Sequence, residues 1–514
     1  MGAVWRSDKT SQDGRYQRAP SPASSRNSAK SRRKTARRLA VGGFLLAGGG
    51  YLGWQELESS RWQSHWLSRY AADLDYSVRP GPSARIQFPT DGPFDRRLGY
   101  VDLPHFIERL VQRNFRIEEQ ARFSRALLDY TSRGFFPPYP EQSKAGLTIN
   151  DCRGVPLYTN SYPRQYYERF EDIPPLVVMS LLFIEDRGLL DASRPNANPA
   201  VDWPRFTKAA ISQLEKRLGL GGQAAGGSTL ATQVEKYRHS PEGRTGDPQE
   251  KIRQMISASI RTYREGPQTL ATRQRIVRDY LNSVPLSAAP GHGEVHGIAD
   301  GLRLWFGADF REVNRLLDPH AASVVDPQAR GLALRQVLSL LIAQRRPSYY
   351  LGAGREEMAD LTDSHIRLLA NGGIVDPALR DAALAQRVVA DNPSREVAIR
   401  PVDATKGITV ARMRLAGLLS LPLYDLDRLD LTASTPLQGD LQQQISEYLV
   451  RLADPAFAES VGLFGDRMLS PEKTGDVRYS FTLFERGDEG FRVRVQTDNT
   501  NQPFDINEGS KLEL

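Results

Sequence analysis

Glu185 is the residue of this sequence best placed for acid–base chemistry. Residues 176–184 before it are almost entirely apolar, and the run follows Pro174 and Pro175, which favours the start of a buried helix. A carboxylate delivered to the far end of such a helix is suited to act as a general base. The alternative, from the residues alone, is an ordinary surface glutamate at the point where a helix ends.

A second candidate segment, residues 226–238, combines glycines, hydroxyl groups and cations. Its polar members and glycines are Gly226, Gly227, Ser228, Thr229, Gln233, Lys236 and Arg238. Glycines expose backbone N–H groups, and with hydroxyls and cations after them they suit an anionic phosphate. The segment is not a P-loop, because no Gly-Lys-Ser/Thr closes it. The alternative is a flexible loop before a helix with Ser228 as its N-cap.

A pair of histidines around Glu294 has the spacing of a helical metal site. His292 and His296 are four residues apart, which would align both on one face of a helix. Gly291 and Gly293 argue against a helix there, so the segment is interpreted as a loop without a metal. The single cysteine of the chain, Cys152, excludes an internal disulfide and any cysteine-based zinc site.

The positive charge of the chain belongs to its N-terminal tail. The 514 residues carry a net charge of +7, but residues 1–38 hold eleven Lys or Arg and two Asp or Glu. The rest of the chain is nearly neutral, which argues against a nucleic-acid-binding surface on the folded part. We therefore interpret residues 1–38 as a disordered, basic tail in the cytoplasm and expect no nucleic-acid partner.

Residues 39–54 contain no charged side chain and predict one N-terminal transmembrane anchor. The basic residues before this run orient the tail to the cytoplasm and all later residues to the other side of the membrane. A cleavable signal peptide and a glycine-rich buried helix are the alternatives.

The remaining chain divides into three predicted regions. Residues 55–145 mix charged and aromatic residues and predict a small α/β module. Residues 146–395 open with a hairpin pattern at 147–158 and continue with helical spacing that no strand pattern interrupts, so this domain is predicted to be mainly α. Residues 396–514 end in a predicted β-hairpin around Gly487–Gly490, which indicates a linker and the beginning of an incomplete β-containing domain.

Five motifs in order resemble glycosyltransferase family 51, the peptidoglycan glycosyltransferase domain of penicillin-binding proteins. The motifs are Asp172-Ile173-Pro174-Pro175 with Glu185-Asp186-Arg187, Gly226-Gly227-Ser228-Thr229-Leu230 with Gln233 and Lys236, Lys251-Ile252-Arg253-Gln254, Tyr280-Leu281-Asn282, and Gly297-Ile298-Ala299 with Phe306-Gly307. Arg346-Pro347-Ser348-Tyr349 follows as a further matching turn. The resemblance covers roughly residues 145–390 and implies a lysozyme-like, mainly α fold.

The resemblance implies polymerisation of lipid II, a disaccharide-pentapeptide carried on undecaprenyl diphosphate. Glu185 would be the general base that takes the proton of the acceptor hydroxyl, with inversion at the donor anomeric carbon and release of the lipid diphosphate. The substrate-binding residues it implies are Asp186, Arg187, Gly227, Ser228, Thr229, Gln233, Lys236, Lys251, Arg253, Gln254 and Asn282. It leaves open a divalent metal, Mg²⁺ or Mn²⁺, at the diphosphate.

The implied partners and location follow from this substrate. They are lipid II, the nascent glycan strand, the inner membrane and other proteins of cell-wall synthesis. The main domains would lie in the periplasm or its extracytoplasmic equivalent, tethered by a single membrane pass.

Departures from the family pattern keep two other functions open. Glu250 and Gln254 stand where the family usually has arginine and glutamate, and the first motif lacks a histidine. Gln254 can form hydrogen bonds but cannot balance charge as a carboxylate does. A catalytically degenerate lipid II-binding or scaffold protein is therefore one alternative. A lysozyme-like lytic enzyme is the other, although its chemistry often wants a second carboxylate.

The C-terminal segment resembles the start of a transpeptidase domain at residues 431–438. The nucleophile of that enzyme class lies in Ser-x-x-Lys at the start of a helix. Ser470-Pro471-Glu472-Lys473 has this pattern but overlaps Lys473-Thr474-Gly475, a second motif of the class. Because the two motifs occupy different elements in that fold, the match is interpreted as chance.

Overall fold

The computed structural model describes residues 48–201, 228–321, 325–386, 406–488 and 490–499, and the chain divides into two units. The first unit ends at Glu58, and its described residues, 48–58, are helical. The predicted tail and most of the predicted anchor, up to residue 47, lie outside the described residues. Within the described ranges, no helix is both long and apolar enough to cross a membrane.

The second unit begins with a segment of mixed helices and strands, as the sequence predicted. Its elements are α1 (Arg61–Asp73), β1 (Tyr76–Pro80), α2 (Pro93–Arg97), α3 (Leu103–Val111), β2 (Glu119–Phe123) and α4 (Arg125–Ser132). β1 and β2 pair antiparallel, with Tyr76 opposite Phe123. Ser124 begins α4 as an N-cap whose side chain accepts a hydrogen bond from the backbone N–H of Leu127.

A hairpin and a long series of helices follow. They are β3 (Gly146–Asn150), β4 (Pro156–Thr159), α5 (Pro175–Glu185), α6 (Leu230–His239), α7 (Pro248–Tyr263), α8 (Leu270–Ser283), β5 (Pro285–Ala289), β6 (Gly293–His296), α9 (Gly297–Phe306), α10 (Phe310–Leu317), α11 (Pro327–Ala343), α12 (Pro347–Tyr350), α13 (Arg355–Asn371) and α14 (Pro377–Ala385). Short 3₁₀ turns lie at Phe170–Asp172, Pro241–Gly243 and Pro319–Ala321. The prediction of a mainly helical domain is confirmed at this level.

The core of this helical region surrounds α11, which is buried along most of its length. Apolar side chains of α5, α8, α9 and α13 complete the same cluster. Burial along most of its length explains why α11 lacks the polar stripe of a surface helix, whereas α5, which is also apolar, leaves Met179 44% exposed. The C-terminal ends of α5 and α11 are in contact. The last residue of α5 is Glu185, and the residue after α11 is Gln344, which is hydrogen-bonded to it.

The sequence reading missed a β-hairpin inside the helical region. β5 and β6 pair antiparallel, with Ala289 opposite Gly293. The segment predicted to be a loop around Glu294 is therefore mainly strand. Gly293 adopts a φ of 84°, which a side chain at this position would resist, and this explains how a glycine can begin the second strand.

The C-terminal segment packs on the hairpin that precedes the helical region. Its elements are α15 (Lys406–Leu419), α16 (Leu423–Leu426), β7 (Asp430–Ser434), α17 (Gly439–Arg451), α18 (Pro455–Ser460), a 3₁₀ helix (Pro471–Asp476), β8 (Ser480–Gly487) and β9 (Gly490–Asp498). β7 adds to β3 as a parallel strand and gives the sheet order β4-β3-β7. Leu147, Ile149 and Ile408 share one buried cluster with Phe106 of α3. The described residues of this segment belong to the second unit.

The predicted terminal hairpin is present as β8 and β9, which pair antiparallel. β9 is tied to α17 because Gln442 Nε2 donates to the carbonyl oxygen of Gln496 at 2.6 Å. Ser470 precedes a short 3₁₀ helix rather than opening an α-helix. This geometry agrees with the interpretation of its Ser-x-x-Lys pattern as chance.

Candidate active site

A large cleft opens where α5, α6, the β5–β6 hairpin and the turn after α11 meet. Its volume is about 1200 Å³. The polar side chains along it include Glu185, Ser228, Gln233, Lys236, Arg244, Glu294, His296, Gln344, Arg345 and Arg346. Three of the residues predicted to bind substrate, Ser228, Gln233 and Lys236, therefore line the same cleft as the predicted base.

Glu185 is the last residue of α5, and its side chain is held by two amides. Gln233 Nε2 donates to Glu185 Oε2 at 3.1 Å, and Gln344 Nε2 donates to Glu185 Oε1 at 3.1 Å. Arg345 Nη2 lies 3.9 Å from Oε1. The side chain is only 14% exposed, so the carboxylate is positioned at the wall of the cleft rather than extended into solvent.

The sequence did not indicate Gln344 and Tyr237 as residues of the site. Tyr237 lies one helical turn after Gln233 on α6, and its hydroxyl is within hydrogen-bond distance of both glutamine side chains. One signal was available: Gln344 follows the apolar run of α11 directly, as Glu185 ends the apolar run of α5. A polar residue at the end of a buried helix is a candidate site residue in both cases.

Two lysines give the cleft a cationic side near Glu185. Burial lowers the pKa of Lys236, while the Glu185 carboxylate raises it in part. Lys251 Nζ donates to Ser228 Oγ at 2.9 Å. Burial, and then repulsion from Lys236, lower the pKa of Lys251 to about 8. Two partly desolvated ammonium groups whose charges repel each other favour an anionic ligand beside them.

Three residues that were predicted to bind substrate, Asp186, Arg187 and Thr229, do not line the cleft. Asp186 is the residue after α5. Arg187 folds back on α5, where its guanidinium stacks 3.8 Å from the Phe183 ring centroid. Thr229 is buried as the N-cap of α6 and accepts from the backbone N–H of Thr232, so the cap lies one residue after the predicted Ser228. Gly227 lies outside the described residues.

The side chains of Arg253 and Asn282 also bind groups outside the cleft. Arg253 pairs with Glu250, Nη1 to Oε2, at 2.9 Å and packs against Gly134. Asn282 is buried, and its amide accepts from the backbone N–H of Tyr167 and donates to the carbonyl oxygen of the same residue, both at 2.8 Å. Asn282, which the resemblance implied as substrate-binding, is thus placed away from the cleft, because its amide serves as the hydrogen-bond partner of the Tyr167 backbone.

Gln254 is fully buried and does not line the cleft. Its Nε2 donates to Ser240 Oγ at 2.9 Å and to Thr245 Oγ1 at 3.0 Å. Ser240 Oγ in turn donates to Glu250 Oε1. The glutamine thus ties α7 to the turn after α6, and the carboxylate of Glu250 is next in the same network.

We expect Gln254→Glu to destabilise the protein by about 2–3 kcal/mol without raising activity. The new carboxylate would be buried and would face the Glu250 carboxylate across Ser240, which has one hydroxyl proton for both. A melting curve of the full chain measures the loss. Gln443→Glu is the matched control, because Gln443 is exposed and its amide also donates to a glutamate, Glu447. A Gln254→Glu chain that is as stable as the wild type and turns over faster would show that Gln254 belongs to the active site.

The described side chains around the cleft do not by themselves form a binding site for a divalent metal. Across the described ranges, no group of three or more His, Cys, Asp or Glu residues converges on one point. The groups nearest to the Glu185 carboxylate are amide donors and cations, which do not bind a metal ion. Gln254 is already hydrogen-bonded to two hydroxyl groups, those of Ser240 and Thr245. We therefore assign no step of the chemistry to a metal.

The two histidines of the β5–β6 hairpin are neutral. Burial, followed by repulsion from Arg303, lowers the pKa of His292 to about 3. Burial and Arg97 lower the pKa of His296 well below its usual value. His296 lines the cleft, so it offers a neutral imidazole there rather than a positive charge.

Residues 154–368 match a family model described as a transglycosylase. The matched range contains Glu185, the described part of the second motif, Lys251 and the turn at Gln344, and it ends before the C-terminal segment. No curated protein matches the chain. The match supports a glycosyltransferase domain over these residues, and it supports glycosyl transfer at the level of the family.

Proposed function

We propose that this chain polymerises lipid II into glycan strands and releases undecaprenyl diphosphate. The observation that carries the proposal is the position of Glu185. Its carboxylate is oriented by two amide donors at the wall of a cleft large enough for a disaccharide, on the side where Lys236 and Lys251 lie. A base and an anion site in one cleft are what this transfer requires.

In the proposed reaction, Glu185 accepts the proton of the acceptor GlcNAc 4-hydroxyl. The acceptor oxygen attacks the donor anomeric carbon from the face opposite the leaving group, so the configuration inverts. The bond to the diphosphate breaks, and its electron pair remains on the diphosphate oxygen. Lys236 and Lys251 meet this negative charge, and Ser228, held by Lys251, is placed to donate a hydrogen bond to it.

The lipid-linked substrate places the cleft at a membrane surface. We propose that the main domains lie outside the inner membrane, with the basic tail in the cytoplasm, and that nascent glycan and other cell-wall synthesis proteins are partners. Protease treatment of intact and opened cells tests the orientation. The second unit should be cleaved only where the protease reaches the outer face.

The deciding experiment incubates the full chain in detergent or vesicles with labelled lipid II, with and without Mg²⁺ or Mn²⁺. Long glycan products, separated on a gel, support the proposal. Binding without products would instead support a degenerate lipid II-binding or scaffold protein. Cleavage of finished glycan, with no use of lipid II, would support a lytic enzyme, for which Glu242 and Glu294 offer further carboxylates along the cleft.

The low pKa of Lys251 predicts that the diphosphate group is bound less well in alkaline solution. Lys251 is protonated below its pKa of about 8, so the positive charge is present at lower pH and is lost as the pH rises above this value. We expect KM for lipid II to rise between pH 7.5 and 9.5 in the wild type.

Lys251→Arg is the control, because a guanidinium keeps its charge over this range. Its KM should stay nearly constant across the same pH values. An identical rise in both proteins would show that another group causes it.

A further inference from the structure

The hydroxyl group of Tyr237 lies between the two amides that hold Glu185. Its Oη is 3.1 Å from Gln233 Oε1 and 3.0 Å from Gln344 Oε1. The Nε2 atom of each amide donates to a different oxygen of Glu185. Tyr237, Gln233, Glu185 and Gln344 therefore form a closed ring, which we call the glutamate clasp.

The clasp lacks one proton when Glu185 is ionised. A phenol carries a single O–H proton, so Tyr237 donates to one amide oxygen at a time. The other amide oxygen then faces Oη with no proton between the two atoms. Such an oxygen–oxygen contact is unfavourable in a partly buried site, where water replaces the missing bond less readily.

A proton on Glu185 removes this mismatch. The carboxylic acid can donate to one amide oxygen once that amide has turned over, and the NH₂ group of the same amide then donates to Tyr237 Oη. Tyr237 donates to the second amide, whose NH₂ group donates to the other oxygen of Glu185. Every link of the ring then carries one proton, and chains of such bonds strengthen one another.

We propose that Tyr237 is a positioning residue, which orients Glu185 through Gln233 and Gln344 and completes the clasp when Glu185 takes up the proton of the acceptor hydroxyl. The inference rests on the proposed function. In that step the acceptor O–H bond breaks, the proton moves to Glu185, and the acceptor oxygen bonds to the anomeric carbon. The departing diphosphate keeps the electron pair of its broken C–O bond.

Other titratable groups also face Glu185 and stay in place when Tyr237 is changed. Lys236 of α6 and Arg345 after α11 are cations beside the carboxylate. Tyr280 of α8 is fully buried, and burial, followed by the neighbouring Tyr237 and Glu185, raises its pKa well above its usual value. A difference between wild type and Tyr237→Phe therefore reports on the Tyr237 hydroxyl, including its contact with the hydroxyl of Tyr280.

The test compares Tyr237→Phe with Tyr167→Phe in the full chain. Tyr167 is a matched control, because its buried hydroxyl also donates one hydrogen bond, to Asn314 Oδ1 at 2.8 Å, but lies outside the cleft. For Tyr237→Phe we expect kcat for lipid II to fall about 10-fold while KM changes less than about twofold. Tyr167→Phe should keep both constants.

A second readout does not depend on activity. A carbodiimide with an amine nucleophile labels protonated carboxyl groups, and peptide mapping follows the labelling of Glu185 against pH. Because the phenyl ring cannot complete the clasp around the acid form, the midpoint of labelling should move about one pH unit lower in Tyr237→Phe. Gln344→Met, which keeps the length of the side chain but removes its amide, should also lower kcat.

The two readouts separate the inference from the proposed function. If the wild type makes no glycan, the proposed function fails, and the labelling midpoint alone decides whether the clasp exists. If the wild type is active, an unchanged kcat and an unchanged midpoint in a Tyr237→Phe chain with a normal melting curve overturn the inference. A loss of kcat with an unchanged midpoint and equal loss in Tyr167→Phe would also overturn it, because the effect would then be structural.

Discussion

Replacing Glu185 by Gln is expected to lower the rate of lipid II polymerisation by about 10²–10⁴-fold while leaving lipid II binding nearly unchanged. The substitution keeps the size of the side chain and removes its ability to take a proton, together with the negative charge beside Lys236 and Arg345. Gln233 or Gln344 can turn its amide so that its oxygen accepts from the new NH₂ group, and the packing at the end of α5 should survive. The loss should therefore appear in kcat rather than in KM.

The measurement is the initial rate of glycan formation beside an equilibrium binding assay with labelled lipid II. Glu447→Gln is the matched control, because Glu447 also accepts a hydrogen bond from a glutamine amide, Gln443 Nε2 at 2.8 Å, but lies on the exposed face of α17. Unchanged turnover in Glu185→Gln would remove the base from the proposed mechanism. Loss of both binding and turnover would indicate a damaged cleft instead.

Glu185 is held by Gln233 and Gln344, and only the first of these two contacts could be predicted from the sequence. Glu185 and Gln233 belong to motifs that resemble those of one family, so their proximity could be expected. Gln344 comes from a turn 159 residues after Glu185, and Tyr237 acts only through its neighbours. A linear pattern has no means of showing that the ends of two buried helices meet, because that depends on how α5 and α11 pack.

The sequence did not show which face of α7 is buried. Ile252 and Ile256 follow the helical spacing of apolar residues, yet both are exposed, at 55% and 37%. The buried face carries Glu250, Gln254 and Ser257 instead. Periodicity identifies which residues share a face but not which face is covered, and here a polar network occupies the covered face.

The sequence of the N-terminal α/β segment did not indicate its role. In the structure, this segment supports α6. Glu141 and Asp95 reach the C-terminal end of α6, where they bind Arg238 and His239. α6 also carries Gln233 and Lys236, so these carboxylates fix the helix that supplies one side of the cleft. Their partners lie more than 90 residues away, beyond what local patterns can show.

We expect Glu141→Gln to lower the free energy of unfolding by about 3–5 kcal/mol, the usual result of breaking a buried ion pair. Glu141 is almost fully buried and lies 2.8 Å from each of three cationic side chains, Arg238, His239 and Arg261. Burial alone would raise the pKa of Glu141, but Arg261 and His239 lower it well below its usual value. The glutamine variant has the same shape, so the loss measures charge rather than packing.

Denaturant unfolding of the full chain, followed by the fluorescence of its tryptophans, gives the stability difference. Glu312→Gln is the matched control, because Glu312 also pairs with an arginine, Arg315, but on the surface of α10, where water screens the pair. Its unfolding midpoint should stay at the wild-type value. Equal midpoints for Glu141→Gln and wild type would show that the buried cluster contributes nothing to stability.

The pH dependence of this loss identifies its source. Burial lowers the pKa of His239, but Glu141 and Asp95 raise it more strongly, to about 10, from an ordinary value of 6.5. A raised folded-state pKa means that the stabilisation is complete below about pH 6.5 and is lost as the pH rises toward 10. Glu141→Gln has already lost the larger electrostatic contribution to that shift. The stability gap between wild type and variant should therefore be widest near pH 6 and narrow toward pH 10, and a gap that stays constant would rule out a charged His239 as its cause.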